Sequence, residues 1–192
     1  MEYIDRKKRI VLISILLNIP VPFVPIQLLW LNLVTDSFPA LALGVEKGDE
    51  DIMHVSPRNP NEPILDKEMV YSIISQSLAI TVATLGAYFY GMYHYPNHIE
   101  GARTVAFFTL ITAELLRSYS VRSSRFTLFH IGVFSNKTLV YGTTLSFFMM
   151  LIVVYIPFLQ PYFDTVSLGL KELAVAIPLA FLPFVFYNNI NS

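Results

Sequence analysis

Four stretches of this sequence are long and apolar enough to cross a lipid bilayer as helices, and they limit what the chain can fold into. A hydrocarbon core about 30 Å thick needs roughly 20 predominantly apolar residues in helical form. Pro25 to Gly44, Val70 to Met92, Leu139 to Leu159 and Leu170 to Tyr187 approach or meet that length. Inside lipid every backbone N–H and C=O must be satisfied within the protein, so such segments fold as helices. A fifth stretch, Thr104 to Tyr119, is apolar at most positions but carries Glu114 and Arg117. A shorter run, Ile10 to Val24, leads into the proline cluster Pro20, Pro22 and Pro25. Proline lacks the N–H a helix needs and disfavours helical geometry in the residue before it. The expected fold is therefore all-α and polytopic: a six-helix transmembrane bundle whose first two helices form a tight hairpin around the prolines.

Composition agrees and narrows the function classes. Only 14% of residues are charged, where soluble domains carry about 25%, so there is too little charge to cover a soluble surface. A net charge of −1 provides no basic field for nucleic acid. With no cysteine, disulfides, thiolate metal sites and a cysteine nucleophile are excluded. The basic start, Arg6-Lys7-Lys8-Arg9 before an apolar run, resembles the front of a signal peptide. No small-residue cleavage site follows, so it reads as a membrane helix that stays.

Basic residues set the expected orientation, because cytoplasmic loops carry the excess of Lys and Arg. With the N-terminus inside, Arg6, Lys7, Lys8, Arg9, Lys47, Arg58, Lys67, Arg117, Arg122, Arg125 and Lys137 all fall on the cytoplasmic side. Only Arg103 and Lys171 fall outside. Both termini are then cytoplasmic. The chain divides into a basic N-terminus (residues 1–9), a helical hairpin with a polar second helix (10–44), a proline-rich cytoplasmic loop (45–69) and a four-helix anchor (70–192).

The polar residues within the spans are the candidates for chemistry. Asn32, Thr35 and Asp36 lie three and four apart, which on an α-helix places them on one face. A carboxylate at membrane depth costs roughly 2.5–3.5 kcal/mol on insertion scales and marks a functional position by default. All three side chains offer oxygen, the ligand that hard cations require. Pro39 cannot donate to the Thr35 carbonyl four residues back, and broken helices of this kind line ion sites in transporters. The plainer alternative makes Asn32 and Thr35 interhelical glue, with Asp36 paired to a neighbouring donor. Glu114 is the second candidate, and Arg117 three residues on offers it an ordinary ion pair instead.

Ser72, Ser75, Gln76, Ser77, Thr81 and Thr84, with Gly86 and Gly91, read as small-residue helix packing. The aromatics near the span ends, among them Tyr88, Phe89, Tyr90, Tyr93, Tyr95, Tyr155, Phe158 and Tyr162, read as a headgroup belt. His94 and His98 are four apart but have Pro96 between them, which argues against a shared helix and a metal site there.

The run from Pro25 to Gly44, with Leu28-Leu29-Trp30-Leu31-Asn32-Leu33-Val34-Thr35-Asp36 at its centre, resembles the sixth transmembrane helix of P-type ATPases of the sarcoplasmic-reticulum calcium-pump type and their bacterial relatives. Asp51-Ile52-Met53 and Pro57-Arg58-Asn59-Pro60-Asn61-Glu62-Pro63 resemble the loop that follows in that family. The resemblance runs from Ile10 to the end and implies the fifth to tenth helices, the fifth one cut short. It implies Ca²⁺ as the transported ion, with Asn32, Thr35, Asp36 and Glu114 as ligands and Asp36 able to bridge two ion positions. It also implies a bacterial plasma membrane, a lipid bilayer around the helices, and partnership with the remaining helices and cytoplasmic domains of a parent pump. ATP and Mg²⁺ would be handled only in those domains, since neither a phosphorylation signature nor a nucleotide domain occurs in these 192 residues. The family's fifth-helix ligand positions fall in or beside Arg6-Lys7-Lys8-Arg9, a cationic run that cannot bind a cation. A free-standing pump subunit or regulator, and a small passive cation channel, are the alternatives.

Overall fold

A computed structural model describes residues 20–45, 67–120 and 135–190, without the side chains of residues 36, 67, 68 and 186–190. Residues 10–19 of the expected Ile10–Val24 run, the Arg6–Arg9 run and most of the 45–69 loop lie outside the described residues, while residues 20–24 are described and are not helical. Within them the chain is helical. Helix α1 (Pro25–Leu31) continues through a π-helical turn (Asn32–Ser37) into α2 (Phe38–Gly44). Then come α3 (Lys67–His94), α4 (Ile99–Ser120), α5 (Lys137–Tyr155), the short α6 (Gln160–Phe163) and α7 (Leu170–Ile190). Among the described residues, three helical stretches, Pro25–Gly44, Met69–His94 and Lys137–Tyr155, are long and apolar enough to cross a membrane.

Local chemistry sets the helix ends. Proline at the first position starts α1 after an extended Val24, the geometry that a residue before proline prefers. Asn136 caps α5, its side-chain oxygen accepting from Leu139 N–H at 2.8 Å. That helix stops at Ile156, extended in front of Pro157, four residues short of the apolar run that extends to Leu159. Asp164 closes α6 in the left-handed region at φ 55°, which a short polar side chain tolerates.

Consecutive long helices run in alternating directions. Pro20, Val21 and Gln27 meet Tyr88, Arg103 and Phe163 at one end of the bundle, and Ala42 meets Asn136 at the other. Helices α3, α4 and α7 pack together as a block, while the Pro25–Gly44 helix packs chiefly on α5 and touches α4 through its π turn. Helix α4 is the core: sixteen of its 22 residues are buried, so it has almost no free face.

Close approach depends on small residues. A methyl group on Gly91 would come within 2.5 Å of the Ala102 Cα, which fixes the crossing of α3 and α4. Gly86 has open space beside it, so the packing role expected of both glycines belongs to Gly91. Tyr88, expected in the headgroup belt, is fully buried with its hydroxyl donating to the Pro20 carbonyl at 2.6 Å. The exposed rings of Phe89, Tyr93, Phe158 and Tyr162 do suit a belt.

Candidate functional site

The helix with the oxygen-bearing residues departs from α geometry where those residues sit. Gln27, Leu31, Thr35 and Pro39 are all buried at a strict spacing of four. Three α turns would take about eleven residues; here they take twelve, and the extra residue is absorbed by the π turn over Asn32–Ser37. Single π turns are uncommon and cluster at functional sites.

In the π register the carbonyl of residue i bonds the N–H of residue i+5. For Val34 that donor would come from Pro39, which has none. The Ser146 hydroxyl of α5 instead donates to the Val34 carbonyl at 2.7 Å. A methyl group on Gly142, one turn earlier in α5, would lie 3.2 Å from the Phe38 carbonyl. Helix α5 therefore supports the opened turn from one side, and α4 packs on it as well.

The four candidate ligands are placed as follows. Thr35 is buried, its hydroxyl donating to the Leu31 carbonyl at 2.6 Å, while Asn32 is exposed. The shared face expected of an α-helix is not kept between these two, because the wider turn rotates Thr35 further from Asn32. The Asp36 backbone lies inside the π turn; its side chain is outside the described residues. Glu114 is 4% exposed on α4, a depth at which a carboxyl group needs a partner or a cation. One turn on, Arg117 Nε donates to Gln76 Oε1 of α3 at 2.7 Å.

Several residues with structural work at this site were not singled out in the sequence. Gln27 is fully buried and bonds at both ends of its amide: Oε1 accepts from Val24 N–H at 3.2 Å, and Nε2 donates to the Phe163 carbonyl at 2.9 Å and that of Asp164 at 3.3 Å. Arg103 NH1 pairs with the Asp164 carboxylate, and its Nε donates to the Val21 carbonyl at 3.1 Å. The signal for Gln27 was an amide in an apolar helix shortly before the candidate ligands; for Ser146 there was none beyond a hydroxyl in an apolar run.

At the same end of the bundle, His94 Nε2 lies 3.1 Å from Glu172 Oε1, and the Tyr95 hydroxyl donates to that oxygen at 3.0 Å. Burial, followed by this bond and the carboxylate charge, pushes the Tyr95 phenol up to about 12. His94 thus pairs with α7 across the bundle, not with His98.

Comparison with known proteins fits this geometry. Residues 20–190 match the family model described as "Cation transporting ATPase, C-terminus". The chain is 36% identical over 174 residues to a calcium-transporting ATPase of Bacillus subtilis (strain 168), covering 91% of this chain and 19% of that protein. It is 32% identical over 188 residues to calcium-transporting ATPase 1 of Bacillus cereus, covering 90% and 21%. Against the human calcium-transporting ATPase type 2C member 1 it is 33% identical over 168 residues, covering 87% and 18%. The chain therefore spans about a fifth of the length of these curated relatives. With its apolar helices and a match over nearly its whole length, this chain is an integral membrane segment that belongs to the cation-transporting P-type ATPase family, as that family's C-terminal transmembrane region.

Proposed function

We propose that this chain forms half of the cation site of an ATP-driven calcium pump, with Asn32, Thr35, Asp36 and Glu114 as ligands. The observation that carries the reading is the π turn over Asn32–Ser37, which opens the backbone over the stretch of sequence that carries the amide, hydroxyl and carboxylate residues. Ca²⁺ takes six to eight oxygens at about 2.3–2.6 Å. A helix whose carbonyl ladder is interrupted can supply main-chain as well as side-chain oxygen. Glu114, buried on the neighbouring α4, adds a second carboxylate from another element. That the similar proteins of Bacillus subtilis and Bacillus cereus are calcium-transporting ATPases favours Ca²⁺ over other cations as cargo.

Transport needs a site whose affinity differs between two states, each open to one side. The site helix packs chiefly on α5 and leaves the α3–α4–α7 block intact beside it. That division suits a mobile ligand helix next to a fixed anchor. In this reading ATP chemistry belongs to cytoplasmic domains of the parent polypeptide, the membrane is a bacterial plasma membrane, and the basic-residue bias supports both termini on its cytoplasmic side.

The test is Asp36→Asn in the complete pump. It is expected to abolish Ca²⁺-dependent phosphorylation by ATP, with phosphorylation measured across a Ca²⁺ titration. Unchanged Ca²⁺ dependence would sink the ligand assignment. Cation flux through vesicles holding this chain alone, without ATP, would favour a passive channel instead.

A further inference from the structure

The Pro25 end of the site helix is tied down by a closed ring of polar contacts that none of the ligand residues shares. The segment just before α1 is held at three points. Tyr88 of α3 donates to the Pro20 carbonyl at 2.6 Å, and Arg103 of α4 donates to the Val21 carbonyl at 3.1 Å. Gln27 accepts from Val24 N–H at 3.2 Å. The same Arg103 binds the Asp164 carboxylate. The same Gln27 donates to the carbonyls of Phe163 and Asp164 at 2.9 and 3.3 Å. Asp164 is the residue in the left-handed conformation, and this conformation presents its carbonyl and its carboxylate to two different partners. Trp30, one turn past Gln27, sets its ring edge-on against Phe163 with centroids 5.2 Å apart.

A fully buried amide is an expensive choice for a helix face that Leu could fill. It is stable here because both of its ends are bonded, and removing one partner would leave buried carbonyls unsatisfied. Gln27 lies five residues before Asn32. The height and rotation it imposes on α1 are therefore transmitted directly into the π turn.

We infer that Gln27 and Arg103 are positioning residues, which lock the height and rotation of the site helix against α4 and the α6–α7 loop and thereby set the cation affinity of the site. This rests on the ligand assignment proposed above. Neither side chain touches the cation. Each acts through the backbone of Pro20–Leu31 and fixes where the helix stands when the site is in its high-affinity state.

The experiment is a Ca²⁺ titration of ATP-dependent phosphorylation in the complete pump, comparing Gln27→Met, Gln27→Glu and Arg103→Lys, with Asp36→Asn as the control. Gln27→Met keeps the length and loses all three amide hydrogen bonds. It is expected to raise half-saturating Ca²⁺ about tenfold, which corresponds to about 1.4 kcal/mol, with the maximal phosphoenzyme per mole of pump retained. Gln27→Glu keeps the acceptor for Val24 and sets a carboxylate against two carbonyls, so its shift is at least as large. Arg103→Lys keeps a charge for Asp164 but loses the fork that also reaches Val21, so its shift is smaller. Half-saturation unchanged in these variants while Asp36→Asn abolishes Ca²⁺ dependence overturns the positioning role and leaves the ligand assignment standing. A lowered maximum at unchanged half-saturation also overturns it, since that is the mark of a merely structural contact. Ca²⁺ dependence that survives in Asp36→Asn overturns the ligand assignment, and this inference with it. If Gln27→Met yields no folded pump, the Arg103→Lys titration decides by the same criteria.

Discussion

Helix α4 and the site helix Pro25–Gly44 are near neighbours in the bundle but are built on opposite principles. Helix α4 is interrupted by Glu100, Arg103, Glu114 and Arg117, yet it is buried on nearly every side. Three of its threonines are bonded back into the helix: Thr104, Thr109 and Thr112 donate to the carbonyls of Glu100, Val105 and Phe108 at 2.7, 2.8 and 2.8 Å. Other polar groups bond outward: Thr104 Oγ1 accepts from Val166 N–H at 3.0 Å, Arg103 reaches Val21, and Arg117 reaches Gln76. The site helix is built differently. It buries one stripe, exposes Leu29, Leu33 and Leu41, and interrupts its own ladder where its polar residues fall. The pair shows that in a membrane the helix most enclosed by protein can be the less apolar one, because lipid itself rewards apolar faces.

The largest expected effect that would break this contrast is in the anchor. Phe107→Ala, at a fully buried position, should cost about 3–5 kcal/mol. Leu41→Ala, at a position 71% exposed, should stay within about 0.5 kcal/mol. Unfolding of the detergent-solubilised chain measures both, and equal losses would mean that α4 is not the core. An intermediate effect is expected where α3 meets α7. Tyr95→Phe removes the bond to Glu172 at a cost on the order of 1 kcal/mol. In the folded protein the phenol holds its proton up to about pH 12, against 10.0 for its ordinary value. The contribution is therefore complete below pH 10 and lost as pH rises through about 12. A melting curve taken across that window should converge with that of the Phe variant at the alkaline end. A smaller effect is expected where α5 supports the site helix. Ser146→Ala deletes the hydroxyl that donates to the Val34 carbonyl and should cost about 0.6 kcal/mol, read from the same unfolding assay. A loss as large as that of Phe107→Ala would make the π turn part of the rigid core.

Much of this was legible in the sequence because membrane helices declare themselves by length and apolarity. Pro25–Gly44 was bounded to the residue by a proline and a glycine, and α7 starts at Leu170 as expected. Leu139–Leu159 ran past its helix because Pro157 stops what hydropathy continues. The Asn32 and Thr35 arrangement was misjudged for a definite reason. The i, i+3, i+4 rule assumes 3.6 residues per turn, and nothing in Asn32–Ser37 announces a wider one except Pro39. Arg103 was read as part of an outside loop just before the Thr104–Tyr119 stretch, but it lies in the first turns of α4 and reaches back to Val21. Such long-range polar contacts join residues as far as 137 positions apart in the chain, a distance over which periodicity carries no information.

The π turn has one further consequence, concerning phase. Each residue of an α-helix turns the chain by about 100°, so one residue of extra winding is the difference between two faces. With the turn in place, Gln27 meets Phe163 at one end while the Ala42 carbonyl accepts from Asn136 at the other at 3.2 Å. Relaxation of Asn32–Ser37 to α geometry would throw these two contacts out of step, and one would have to open for the other to persist. The turn acts as a vernier between the two ends of the helix: a register change of a single residue at the centre becomes a rotation of a whole half-helix.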